Sequence, residues 1–311
     1  MSEKFAILFP GQGSQSVGML ADLLAESEVV KATFAQASAA LGYDLAQLVL
    51  DGPEATLNQT DKTQPALLTA SVAIYRHWLA QGGQQPAVMA GHSLGEYSAL
   101  VCAGVLSLED AVKLVEKRGL YMQQAVPAGT GSMAAIIGLD DDLVRQACDS
   151  VANGDVVAPV NFNSPGQVVI AGSKDAVDRA SAACKEAGAK RALPLAVSVP
   201  SHCALMKPAA EQLANDLNNI EFNTTDIKVI NNVDVSVESD QAAIKDALVR
   251  QLYSPVRWTE TVQALAAQGI TTTYEFGPGK VLSGLAKRID KSVSCVSVND
   301  LASFCAVFSE E

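Results

Sequence analysis

Three histidines are all that 311 residues contain, so any imidazole chemistry must come from His77, His92 or His202. Basic side chains are scarce too. Lys and Arg number 22 against 34 Asp and Glu, and the formal net charge of −12 excludes general nucleic-acid binding as an expectation. No apolar run reaches the ~18 residues a membrane span requires. The chain opens without a basic region followed by an apolar one, so no secretory signal is expected. Six cysteines, at 102, 148, 184, 203, 295 and 305, form no C-x-x-C pair and read as reduced thiols of a cytoplasmic protein. No histidine–cysteine–carboxylate spacing suggests a metal, and no cofactor motif is present. The glycine turns at Gly11–Gly13 and Gly277–Lys280 have neither dinucleotide nor phosphate-loop spacing. Internal repeats and low-complexity tracts are missing as well. What is plentiful is apolar: 49% hydrophobic residues against 18% charged support a sizeable core, in one large domain or two.

Gly91-His92-Ser93-Leu94-Gly95 matches the G-x-S-x-G nucleophile elbow. Pro86–Ala90 before it reads as a short buried strand and Glu96–Leu106 after it as a small-residue helix. A serine on that turn holds its hydroxyl out of the sheet, at the positive end of a helix. A plain strand–helix turn is the alternative. A second strand–glycine turn–helix unit runs from Phe5–Phe9 through Pro10–Gln15 to a helix through Met19–Leu24. An oxyanion hole needs one donor after the nucleophile and one from another loop. Leu94 N–H supplies the first and Gln12 N–H the second, unless the latter is an ordinary βα turn.

A serine nucleophile needs a base. His77 lies in the helical stretch Pro65–Leu79 beside Trp78 and reads as structural. His92 adjoins the serine on a tight turn, where neighbouring side chains point apart. Elimination leaves His202, in Val199-Pro200-Ser201-His202-Cys203. Cys203 is a poor rival nucleophile because it lacks an elbow.

The segments imply an α/β fold, interrupted once. Up to residue 125, apolar runs alternate with helices. After Pro127–Gly131 come a strand at Ser132–Gly138, a helix at Asp140–Val151 and strands at Val156–Phe162 and Gln167–Ala171. A helix at Lys174–Ala187 and a strand at Lys190–Val199 complete a β-α-β-β-α-β order, the ferredoxin-like plan. The expectation is an α/β-hydrolase-like large subdomain, residues 1–125 and 205–311, with an inserted ferredoxin-like small subdomain at 126–204. Strands near Ile227–Asn231 and Thr272–Phe276 and helices near Leu205–Leu217, Asp240–Leu252, Thr259–Gln268 and Gly277–Arg288 follow the insertion. His202 falls at the rejoining point, across a cleft from Ser93.

Helix Leu108–Gln124 carries Ala111, Leu114, Val115 and Met122 on one stripe, and Arg118 lies on it. An inward guanidinium needs an anionic or carbonyl partner. A structural salt bridge, a side chain snorkelling at the stripe's edge, or a bidentate clamp on a substrate carboxylate would each serve.

Several segments together resemble the malonyl-CoA:acyl carrier protein transacylase family, over nearly the whole chain. They are FPGQGSQSVGM at Phe9–Met19, TQPAL at Thr63–Leu67, AGHSLGEYSAL at Ala90–Leu100, KRGLYMQ at Lys117–Gln123, NSPGQVVIAG at Asn163–Gly172, VPSH at Val199–His202, YSPVRW at Tyr253–Trp258 and EFGPGKVLSGL at Glu275–Leu285. The resemblance implies that Ser93 is acylated, His202 is its base, Arg118 binds the malonyl carboxylate and Gln12 belongs to the oxyanion loop. It further implies that the backbone carbonyl of Gln251 orients the histidine, and that Gln64, Met122 and Asn163 line the substrate site. One departure is Ser201, where many malonyl-selective relatives carry phenylalanine. The implied partners are malonyl-CoA and coenzyme A with holo-acyl carrier protein, and no cofactor, no nucleic acid and no membrane; a monomer is expected. A serine thioesterase shares the elbow and base but not the arginine. A non-catalytic carrier-docking module would bind normally without Ser93. Exposed bases for docking an acidic carrier are sought at Lys190–Arg191 and at Lys280, Lys287 and Arg288.

Overall fold

The computed structural model describes residues 4–197 and 199–309. Among the described residues, nine strands form two sheets. In chain order they are β1 (Phe5–Phe9), β2 (Val88–Gly91), β3 (Gly131–Ile137), β4 (Val157–Ser164), β5 (Gln167–Ser173), β6 (Arg191–Pro194), β7 (Lys228–Ile230), β8 (Thr272–Phe276) and β9 (Ser294–Val298). The larger sheet has the order β7-β2-β1-β8-β9 and every pairing in it is parallel. Its central strand, FAILF, has no polar residue because both faces are covered. Alternation along β1 sends Phe5, Ile7 and Phe9 into one hydrophobic cluster and Ala6 and Leu8 into another. Helices Thr60–Ala80 and Leu108–Ala125 cover the first face; Trp258–Ala267 and Val281–Ile289 cover the second.

The smaller sheet is antiparallel in the order β4-β5-β3-β6, with helices Asp141–Val151 and Lys174–Glu186 on one face. This is the ferredoxin-like arrangement inserted between β2 and β7. Its strand β4 is tied to the large part by backbone hydrogen bonds, Phe162 N–H to Val256 O at 3.0 Å and Val256 N–H to Val160 O at 2.8 Å.

In a parallel sheet all the strand-to-helix turns emerge at the carboxyl edge, where ligands collect. Here that edge gathers the turns after β1 (Pro10–Gln15), β2 (His92–Leu94), β7 (Asn231–Asp234) and β8 (Gly277–Lys280). The register sets Phe9 beside Gly91, so the first two turns start level.

Three segments differ from the sequence expectation. The strand read over Lys190–Val199 ends at Pro194; Leu195 donates once more, to Met133 O at 2.9 Å. Leu195 and Val197 then line a cleft rather than a core, and apolar periodicity cannot tell the two apart. Helix Thr60–Ala80 starts five residues before Pro65, which sits in its second turn. Strand β9 and the helix Leu301–Ser309 close the sheet edge beyond β8 and were not foreseen; β9 is a half-exposed edge strand with a weak hydrophobic signal.

Candidate active site

The elbow turns as tightly as the glycines allow. A Cβ on Gly91 would lie 1.9 Å from the backbone carbon of Gly95, and one on Gly95 would lie 2.1 Å from Phe9 O. Both glycines are therefore needed for strand and helix to approach. Gly91→Ala is expected to lower the unfolding free energy by about 1–3 kcal/mol, the usual cost of overpacking, as measured by urea denaturation. Between them Ser93 has φ 53°, a left-handed conformation uncommon for serine. Asn232, just past β7, holds it there: its Oδ1 accepts from Ser93 N–H at 2.7 Å and its Nδ2 donates to Gly91 O at 2.7 Å.

Ser93 Oγ lies 2.8 Å from His202 Nε2, and His202 Nδ1 lies 2.7 Å from Gln251 O. A carbonyl oxygen can only accept, so Nδ1 carries the ring proton and Nε2 is left to accept the serine hydroxyl. No carboxylate takes part in this pair. His202 is buried, with φ 66°, and its own N–H donates to Leu252 O at 2.9 Å. Burial, with the nearby Arg118 charge, lowers its pKa to about 3, so the imidazole is neutral.

Arg118 is 1% exposed. Its Nη1 donates to Gln64 Oε1 at 2.7 Å, and its Nη2 donates to Gln251 Oε1 at 3.0 Å and to Ser93 Oγ at 3.3 Å. Its Cζ sits 5.4 Å from the centre of the Tyr97 ring. Among the described residues no carboxylate pairs with it directly, which removes the salt-bridge alternative, and its burial removes snorkelling. The buried guanidinium is thus held by two neutral amide oxygens and a serine hydroxyl, and a buried positive charge without a paired carboxylate is costly.

These groups open on a cavity of about 550 Å³ between the two subdomains, whose wall includes Gln12, Leu94, Met122, Asn163, Leu195 and Val197. Ser93 N–H is taken by Asn232 and so cannot serve an oxyanion. Neither Gln12 N–H nor Leu94 N–H has a partner among the described residues, and both border the cavity. Gln64 is buried, with its Nε2 3.6 Å from Met122 Sδ. His77 bonds Ser27 Oγ at 2.9 Å, far from the serine in a structural role. Cys203 is buried, donates to Pro200 O at 3.2 Å, and burial pushes its thiol to about 11, so it is no nucleophile at neutral pH.

Two residues do more than the sequence suggests. The His92 ring bonds Asn163 rather than Ser93: it lines the same cavity, and its Nε2 lies 2.8 Å from Asn163 Oδ1, fixing that residue across the cleft. Gln251 meets His202 through its backbone carbonyl, and its side chain is also fully buried in the network. Its Oε1 meets Arg118, and its Nε2 donates to Ser93 O at 3.0 Å and to Glu96 Oε2 at 2.8 Å. Asn232 and Glu96 were missed. Glu96 directly follows the elbow motif, where a carboxylate at the start of an apolar helix is the available signal; Asn232 carries none.

Residues 6–303 match the acyl transferase domain family. The chain is 64% identical over 303 residues to the malonyl CoA-acyl carrier protein transacylase of Escherichia coli strain K12, covering 97% of this chain and 98% of that one. It is 67% identical over 306 residues to the protein of the same name from Haemophilus influenzae, covering 98% of each. A crystal structure of an acyl carrier protein S-malonyltransferase from Vibrio cholerae superposes with a TM-score of 0.97 at 68% identity, over 98% of this chain and 100% of that one. A malonyl-transacylase solved in complex with a type II PKS acyl-carrier protein superposes with a TM-score of 0.98 at 61% identity, over 99% of this chain and 100% of that one.

Proposed function

The chain belongs to the malonyl CoA-acyl carrier protein transacylase family of acyl transferases, and from that premise we propose how its residues move a malonyl group from malonyl-CoA to the phosphopantetheine thiol of acyl carrier protein. The observation that carries the assignment is Arg118: a buried, carboxylate-free guanidinium whose Nη2 lies 3.3 Å from Ser93 Oγ. Ser93 gives its proton to His202 Nε2 as Oγ attacks the malonyl thioester carbonyl. Gln12 and Leu94 N–H groups hold the oxyanion. The C–S bond breaks, and coenzyme A leaves as a thiol with the proton from His202. The carrier thiol then repeats the sequence on the malonyl-Ser93 ester, giving its proton to His202, which returns it to Ser93 Oγ. Throughout, Arg118 clamps the distal carboxylate, with Gln64 holding the guanidinium on its other side and Met122 and Asn163 bounding the acyl group. A thioester is exchanged for a thioester, so productive transfer depends on excluding water, which fixing malonyl in one orientation assists.

The catalytic subdomain is assigned to 1–125 and 205–311 and the small subdomain to 126–204. The acidic carrier is assigned to the cavity mouth, with Lys190–Arg191 and Lys280, Lys287 and Arg288 as the candidate bases, all of them exposed. The cytoplasm is the compartment inferred from cysteine usage and the coenzyme A substrate; among the described residues no helix is long and apolar enough to cross a membrane.

Arg118→Ala tests the assignment. Removing one partner of such a buried pair costs roughly 2–5 kcal/mol, about 30- to several-thousand-fold in malonyl transfer. Acetyl-CoA has no distal carboxylate and gains nothing from the guanidinium. The same charge lowers the basicity of His202, so acetyl transfer should stay equal or rise. Arg118→Lys should rescue little, since a point charge cannot form the fork. The measurement is kcat/KM for both thioesters; equal losses would reduce Arg118 to a structural role.

A further inference from the structure

Behind Ser93 lies a buried carboxylate that the steps above do not use. Glu96 is 3% exposed, in the first turn of the helix Gly95–Cys102. Its Oε2 accepts from Asn232 N–H at 2.9 Å and from Gln251 Nε2 at 2.8 Å. The far side of the same Gln251 amide, Oε1, receives Arg118 Nη2 at 3.0 Å. An amide has two unlike ends, and which end meets the guanidinium is set by what holds the other. We infer that Glu96 is a positioning residue for malonyl selectivity: as an acceptor-only anion it adds to Ser93 O, which takes the same NH2 at 3.0 Å, in holding the NH2 of Gln251 on that side, and so keeps the amide oxygen turned toward Arg118.

The inference rests on the transacylase reading above. An ionised carboxylate permits only one sense of the Gln251 amide. With a neutral group at position 96 the NH2 keeps Ser93 O, at 3.0 Å, as its one close acceptor-only partner; the amide is then held less firmly, and the reversed sense, which sets an NH2 against the guanidinium and swings it away from its aim at the substrate carboxylate, becomes accessible. Asn232 N–H would still find one oxygen on a neutral group, so the elbow and the Ser93–His202 pair remain. The consequence falls on the clamp rather than on the nucleophile.

The surroundings of Glu96 put its charge within reach of ordinary pH. Burial raises its carboxyl to about 7, against the opposing Asn232 N–H, Gln251 amide and Arg118, while Asp234 raises it further. Strands β1 and β2, FAILF and VMAG, bring no charged residue to it. Tyr97 follows it on its own helix, His202 lies beyond Gln251, and Glu238 faces it across a small cavity of about 20 Å³. Helix Thr60–Ala80 makes no ion pair or hydrogen bond with it among the described residues.

Glu96→Gln keeps the shape and removes the charge. Expected is a fall in kcat/KM for malonyl-CoA of about ten- to a hundredfold, the scale of one lost charge-assisted hydrogen bond, with acetyl transfer nearly unchanged. In the wild type, malonyl transfer should decline as pH falls through about 7, while in Glu96→Gln it should be flat near the low plateau. Unchanged malonyl transfer, or equal losses for both thioesters with the wild-type pH profile retained, would overturn the inference. If the variant does not fold, the wild type decides alone: a limb near neutrality present for malonyl and missing for acetyl supports it, and a limb shared by both or found in neither overturns it. Intact-mass detection of the Ser93 adduct runs alongside. A wild type that takes no malonyl on Ser93 fails the transacylase reading, whereas a Ser93 labelled normally in Glu96→Gln at the wild-type rate fails only the role given to Glu96.

Discussion

Ser93→Ala should take up no malonyl group on incubation with malonyl-CoA, where the wild type gains one, and its turnover should fall by at least about 10⁴-fold. The size follows from the chemistry. Without Oγ there is no ester, and only the oxyanion donors and substrate binding persist. Circular dichroism should show the fold retained, because the hydroxyl contributes two contacts, to His202 Nε2 and Arg118 Nη2, while the elbow is held by Asn232 through backbone groups. Intact-mass spectrometry with peptide mapping makes the check. Label on Cys203 with Ser93 unmodified would sink the assignment of the nucleophile.

The second large effect belongs to His202. His202→Ala should slow acylation by on the order of 10²–10⁴, as loss of a positioned proton acceptor does. The 2.8 Å contact to Ser93 Oγ is a direct route for that proton, and the carbonyl of Gln251 fixes the tautomer that makes it possible. The sign with pH is distinctive. A base whose pKa is lowered to about 3 is active in its neutral form and stays so throughout the ordinary range. Acetyl transfer should therefore show no acid limb between pH 5 and 8 from an ordinary histidine, whose pKa is about 6.5. Single-turnover acylation across pH, for wild type, His202→Ala and His92→Ala, tests both points. His92→Ala should act through Asn163 and be milder; equal damage from the two, with folding intact, would overthrow the choice of base.

The elbow was legible because its requirements are local. Two glycines, a serine and the flanking patterns lie within one turn, and steric exclusion at Gly91 and Gly95 admits nothing larger. The stripe carrying Arg118 was legible for a similar reason, since helical periodicity alone puts residue 118 on the buried face with Leu114 and Met122. From the residues alone, His202 is reached by eliminating two other histidines, an argument available because imidazoles are so few.

Partners distant in the chain were not legible. Asn232 reaches Ser93 across 139 positions and Gln251 reaches Glu96 across 155, and neither distance leaves a trace in local composition. Whether Arg118 meets a carboxylate or neutral partners depended on which oxygens the fold brought beside it, and these are two amides and a serine hydroxyl. The premature end of β6 has the same origin: apolar residues at Leu195 and Val197 face a cavity instead of a core, and only the packing of one subdomain against the other distinguishes the two. Local sterics and periodicity thus specify the serine elbow, the stripe and the order of segments. The charge balance around them arises where the turns of four strands converge at one edge of a sheet.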